Sequence, residues 1–249
     1  MATISKIGIT VGGTIQPTHV TNIIDALDGT SNDDITIKGT IATGLGTSAA
    51  AVNSHAEGLA ASALGPHSHA EGRSTTANGI GSHAEGDATT ATGGFSHAEG
   101  DTTTATGDYS HAEGTYTQST GYASHAEGNA TIATGDCSHA EGNNAIALGF
   151  GSHAEGNNTI ASGSYQHVQG QFNTHGDTKS LMIVGNGLDN LLRKDAFKVT
   201  MSGSIVLPTT QSAAPTWTGT DGEMIFATIS GDHRFYVWMS GAWRSGSLA

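Results

Sequence analysis

"GSHAEGDATTATGGFSHAEG" (Gly81–Gly100) contains the same five letters twice, and the distance between the two copies decides the fold. The histidines of this word stand at His55, His69, His83, His97, His111, His125, His139 and His153, and a degenerate "QHVQG" carries His167. Each step is 14 residues, with no insertion or deletion. Glutamates follow two places later, at Glu57, Glu71, Glu85, Glu99, Glu113, Glu127, Glu141 and Glu155, and Gln169 takes that place in the ninth copy. A faded copy, "TIATG" (Thr40–Gly44), comes before them. Repetition at a fixed short period marks a structural unit stacked on itself.

The second half of each unit has its own rule. Glycine returns seven residues after each SHAEG glycine, at Gly65, Gly79, Gly93, Gly107, Gly121, Gly135, Gly149 and Gly163. Alanine (once Ser119) stands two residues before it, and threonine (or Ala61 and Ala145) two before that. Alternation with period two predicts strands, and the glycines after them predict turns. A helix would lose about 1 kcal/mol at each interior glycine. The chain is therefore expected to be mainly β, with each 14-residue unit one coil of a parallel β-solenoid. Coils spaced ~4.8 Å apart would build a rod roughly 45 Å long over residues 40–170.

Period two also sorts the side chains. Ser, Ala and Gly of the first strand share one face, and Thr, Ala and Gly of the second share another; these small faces are expected to meet inside, Ala56 against Ala63. The outer face of the second strand varies, as Thr90/Thr92, Gln118/Thr120 and Ile146/Leu148 show. The His/Glu face does not vary. A column of like charges repeated at every coil is uncomfortable alone, so this face is expected to be a seam between chains, with each Glu accepting hydrogen bonds from histidines. Identical pairs make a poor catalytic series, since an active site needs a unique surrounding. The weak metal candidate is His67 with His69, placed on one face if "HSH" is continuous strand.

Totals narrow the function classes. A formal charge of −13 opposes nucleic-acid binding. Charged residues make up 12% and aromatics 6%, with 36 glycines, too little bulky apolar material for a broad core. The single Cys137 excludes an intrachain disulfide. No apolar run approaches the ~20 residues of a membrane span, so no membrane insertion is expected. The start "MATISKIGIT" lacks a signal peptide's apolar core, which points to folding in a cytoplasm. No cofactor is implied.

The flanks break the metre. Residues 1–39 contain "PTHVTNIIDALDG", where Val20, Ile23, Ile24 and Leu27 predict a short amphipathic helix between Pro17 and Gly29. Short strands are expected at Ile4–Ile9 and Ile35–Ile37 on either side. Residues 171–207 form a transition and residues 208–249 a small β module, with turns at Gly231-Asp232 and Ser240-Gly241. Trp217, Trp238 and Trp243 all lie in that last module and are the candidate glycan contacts.

The repeated "SHAEG" with "TATG" between resembles the left-handed β-roll of trimeric autotransporter adhesin heads and of bacteriophage fibre proteins. "QFNTHGDTKSLMIVGNGLDNLLRKDAFKVTMSGSIVL" (Gln171–Leu207) is similar to the segment after such rolls in phage tail fibres, where "IVGNG" leads to Arg-x-x-Ala, here Arg193 and Ala196. The resemblance implies an intertwined homotrimer and a non-enzymatic virion protein, a tail or head fibre. Residues 1–39 would then attach it to a phage tail or capsid protein, and its far end would meet a host-surface glycan. Three alternatives compete: a cellular trimeric adhesin, a self-cleaving fibre and a polysaccharide depolymerase. The last needs two acids across a cleft, yet eight of the nine glutamates belong to the repeat, leaving Glu223.

Overall fold

The computed structural model describes residues 40–207, 219–220, 224–229 and 232–247. The helix and strands expected before residue 40, and Trp217, lie outside them. Among the described residues there is no helix. Every repeat gives a five-residue strand beginning at its histidine, from His55–Leu59 to His167–Gln171. A two-residue strand follows in each coil, from Ser62–Ala63 to Ile160–Ala161. The faded copy forms the same pair, Ile41–Leu45 and Ser48–Ala49. The long strands stack in one sheet and the short ones in another. Pairing is parallel and in step, so that His83 meets His97, Ala84 meets Ala98 and Glu85 meets Glu99. The chain is a parallel β-solenoid of 14-residue coils.

The consensus letters explain how so short a coil closes. Ser82 turns the corner after Gly79: its amide donates to the Gly79 carbonyl at 3.2 Å and its hydroxyl to the same oxygen at 2.8 Å. The third residue of that turn, Gly81, is left-handed at φ 62°. Coils then bond to one another through the backbone, His83 N donating to Ser96 O at 2.9 Å and Ala88 N to Arg73 O at 2.8 Å. The interior between the sheets admits only small groups. Ala84, Ala91 and Thr89 are fully buried, and Ser82 is 1% exposed. A Cβ on Gly86 would collide with the carbonyl oxygen of Gly100 in the next coil. Buried methyl groups contribute only about 0.8 kcal/mol each, so a coil is stable through its neighbours rather than alone.

The stack does not stop at Gly170, as the repeat alone suggests. Ser180–Asn186 continues the long sheet in parallel, with His167 opposite Met182 and Gln169 opposite Val184. Backbone pairing needs no SHAEG side chains, which is why the sequence pattern ends one strand before the sheet does. Asp195–Thr200 and Ile205–Val206 then turn antiparallel. The end of the roll is plugged by polar groups. Gln166, standing where other coils have Ser, accepts from Ser162 N at 2.8 Å and donates to the carbonyls of Asp177 and Ser180 at 2.7 and 2.8 Å. The Asn173 amide bonds Ile160 N and O at 2.7 and 3.0 Å, standing in for the missing next strand of the short sheet. Arg193, picked out by resemblance, donates to the carbonyls of Asn158 and Asn173 at 2.8 and 3.2 Å. Lys198 sits between Asp177 and Asp195, at 3.1 and 2.9 Å.

Met224–Ile229, Asp232–Met239 and Ala242–Ser247 form a separate three-stranded antiparallel sheet. Its second hairpin turns at Ser240 and Gly241, both left-handed at φ 51° and 81°, the two-residue geometry that suits strand twist. Asp232, expected in the first turn, instead opens a strand and pairs with Ile229.

Candidate functional site: a column of histidine and glutamate

Strand pleating puts His and Glu of each coil on the outer face of the long sheet, and the 14-residue register stacks them. Neighbouring imidazoles from His55 to His167 lie 4.7 to 4.8 Å apart. Most are near-parallel, with the His139 and His153 rings only 1° from parallel. The column brings together all sixteen residues expected in the seam.

The carboxylates reach the imidazoles in two ways. From His55 to His111 each Nε2 faces the Glu of its own coil, 3.8 Å for His55–Glu57 and 3.5 Å for His111–Glu113. From His139 onward each faces the Glu of the preceding coil: His139–Glu127 at 3.6 Å, His153–Glu141 at 3.2 Å and His167–Glu155 at 3.4 Å. Nine histidines share eight glutamates, and the unmatched one is His125, where the pairing changes phase. Its Nε2, like those of His69, His83, His97, His111 and His139, is buried without a hydrogen-bond partner among the described residues. Burial, reinforced by the neighbouring imidazoles, holds His83, His111 and His125 below the ordinary histidine pKa, against the pull of the glutamates.

The column is only half covered by its own chain. Its eight ion-paired histidine side chains are between 31% and 43% exposed, and Glu57 is 56% exposed. A groove beside its C-terminal half is lined by Glu141, Glu155, Gln169, the glycines Gly142, Gly156 and Gly170, and Val184. At the C-terminal end the face turns apolar, Met182 and Val184 taking the His and Glu registers, and at the other end Ile41 takes the histidine register and Thr43 the glutamate register.

Two groups, His111/Glu113/His125 and His139/Glu141/His153, bring their nitrogen and oxygen atoms within 4.8 Å of one another. Imidazole lone pairs lie in the ring plane, so rings stacked face to face at 4.7 Å aim them side by side rather than at one point. Holding an ion there would require the rings to turn. The pair His67 and His69 is not brought together as expected. His67 sits in the corner turn at φ 59°, outside the strand that begins at His69. Its Nδ1 lies 3.4 Å from the Asn53 amide. Alternation fails there because a left-handed residue breaks the pleat.

Trp238 and Trp243 are directly opposite across a hairpin, edge to face at 5.4 Å and 75°, and half-buried. A Cβ on Gly219 would come within 2.8 Å of both, so part of their surface is spent on each other and on that glycine. Apart from His67, the two residues between each coil glycine and the next SHAEG serine show no rule in the sequence. Their variability hides a pattern that only the stacking reveals: a file of large apolar side chains at one corner of the rod.

Comparison with known families agrees with this architecture. The family described as YadA head domain repeat (2 copies) matches residues 56–82, 70–96 and 140–165, all inside the roll. No curated protein matches the chain. The matched coils are thus similar to YadA head repeats, and their histidines and glutamates lie on the outward face of the long sheet.

Proposed function

We propose that this chain is the structural fibre of a bacteriophage virion. In this reading it is a homotrimer whose roll is a stiff spacer, held to a tail or head protein by residues 1–39, and it serves host-surface attachment. The observation that carries the reading is the contrast between the two outward faces of one roll. The face of the short strands changes freely from coil to coil, while the His/Glu face repeats through eight coils although it is half-exposed. Solvent imposes no such uniformity; a sister chain in the same register does. Apolar Ile41, Met182 and Val184 at the ends of that face extend the same seam. Imidazoles beside carboxylates give hydrogen-bond donors and acceptors that fix register between chains more than they add net stability.

Sedimentation equilibrium of the full chain tests the assembly. A three-chain mass is expected, with dissociation when His97, Glu99, His111 and Glu113 are all changed to Ser while the β signal in circular dichroism persists. A monomer at micromolar concentration would sink the reading. Immunogold electron microscopy with antibodies to the roll tests the location, label on virions being the expected result. A second reading, a trimeric adhesin of a cell surface, is favoured by the match to YadA head repeats; it predicts label on bacterial envelopes instead.

A further inference from the structure

The two corners of the roll differ in a way the coil does not require. The corner after the SHAEG glycine is mostly polar, with Arg73 ion-paired to Asp87, Asp101 bonded to Thr102, and Asn143 to Asn144. The opposite corner, before the SHAEG serine, carries Ile80, Phe95, Tyr109, Tyr122, Phe150 and Tyr165 on successive coils, interrupted only by Asp136-Cys137. All six are exposed, from 47% at Phe150 to 66% at Tyr165. Phe95 and Tyr109 stack at 5.3 Å and 14°, Tyr122 meets Tyr109 edge-on at 5.6 Å, and Phe150 meets Tyr165 at 5.4 Å. They form a ridge along the rod.

Folding does not explain the ridge. Phe95, Tyr109 and Tyr165 occupy the left-handed place of the turn, at φ 56°, 58° and 56°, a conformation unusual for bulky residues. Gly81 and Gly151 fill the same place in other coils and make the same turn. Strained, exposed aromatics where glycine would serve point to a use outside the fold.

We propose that this ridge is a binding site for a neutral, linear polysaccharide lying along the rod. A file of side chains set one to a coil matches a chain polymer whose successive units each meet one coil. Charge narrows the class further. Between residues 40 and 172 the only Lys or Arg is Arg73, against eight glutamates and four aspartates. Anionic glycans and nucleic acids are therefore repelled. Within the ridge, Asp108 and Asp136 accept backbone N–H groups of Gly94 and Tyr122 at 2.8 and 2.9 Å. Carboxylates and tyrosine hydroxyls beside aromatic surface supply the polar partners that sugar hydroxyls need.

Affinity electrophoresis of the full chain in gels containing hydroxyethyl cellulose, dextran or mannan, with hyaluronate as the anionic control, tests this. At least one neutral polymer is expected to retard the protein, and hyaluronate not. A variant with Phe95→Gly, Tyr109→Gly and Tyr122→Ser should lose at least tenfold in apparent affinity, with an unchanged or higher melting temperature and the wild-type sedimenting mass. Absence of retardation by every neutral polymer overturns the proposal, as does equal retardation of the variant. Loss of retardation in Trp238→Ala/Trp243→Ala alone also overturns it, moving the site to the C-terminal sheet. A changed mass in the ridge variant would make the ridge a seam between chains, and the proposal would fall while the trimeric fibre stood.

Discussion

At the residue scale, the interior of the roll has polar groups that the fold leaves unsatisfied. Thr75, Thr89, Thr103, Thr117, Thr131 and Thr159 are fully buried, and none of their hydroxyls has a hydrogen-bond partner among the described residues. A buried hydroxyl without a partner costs more than a methyl group of the same shape. Thr103→Val should therefore stabilise the protein by about 1 kcal/mol in urea unfolding; a loss of that size would show that the hydroxyl is bonded in solution. Backbone geometry gives two opposite expectations. Gly114 is left-handed at φ 106° and abuts the Gly128 carbonyl, so Gly114→Ala should cost about 3 kcal/mol or more from overpacking and strain together. Ala130 is left-handed at φ 54° with a Cβ to carry, so Ala130→Gly should gain about 1 kcal/mol, checked by the same unfolding curves. The small interior was legible in the sequence because alternation survives in every coil. The left-handed corners were not, since Ala130, Tyr109 and His67 betray nothing of the φ that stacking imposes on them.

At the scale of the element, the histidine column ties folding to protonation. His83, His111 and His125 have lowered pKa values, chiefly through burial and then through one another. The unfolded chain, with histidines near their ordinary value of about 6.5, thus takes up protons first as pH falls. Stability is full above that value and is lost as pH drops through the lower folded values. The melting temperature should fall between about pH 7 and pH 5; a flat or rising profile would mean that the histidines are already charged in the fold. Replacing His125, which is ion-paired to no glutamate among the described residues, by Gln should soften this dependence while keeping the rung occupied. The existence of the column was readable from the 14-residue spacing. The change of phase at His125 was not, because it depends on which way each carboxylate leans. Nor was the polar plug of Gln166, Asn173 and Arg193, whose partners lie up to 35 residues apart in sequence.

At the scale of the whole molecule, the register makes the coil the natural unit of change. Deleting residues 115–128 removes one full 14-residue repeat and joins Gly114 to Asn129 with every pairing restored. That variant should keep its β circular dichroism and sedimenting assembly. Removing one residue fewer would send each following side chain to the wrong face and should give insoluble or unfolded protein; equal solubility of the two deletions would contradict the strict register. The plugged C-terminal end sets where counting stops, while the coils between are interchangeable in all but their corners. The roll is in this sense a ruler with uniform graduations. Copying or losing one segment of its gene alters reach by a fixed step and poses no new packing problem, so a lineage could tune how far the molecule extends without redesigning either end.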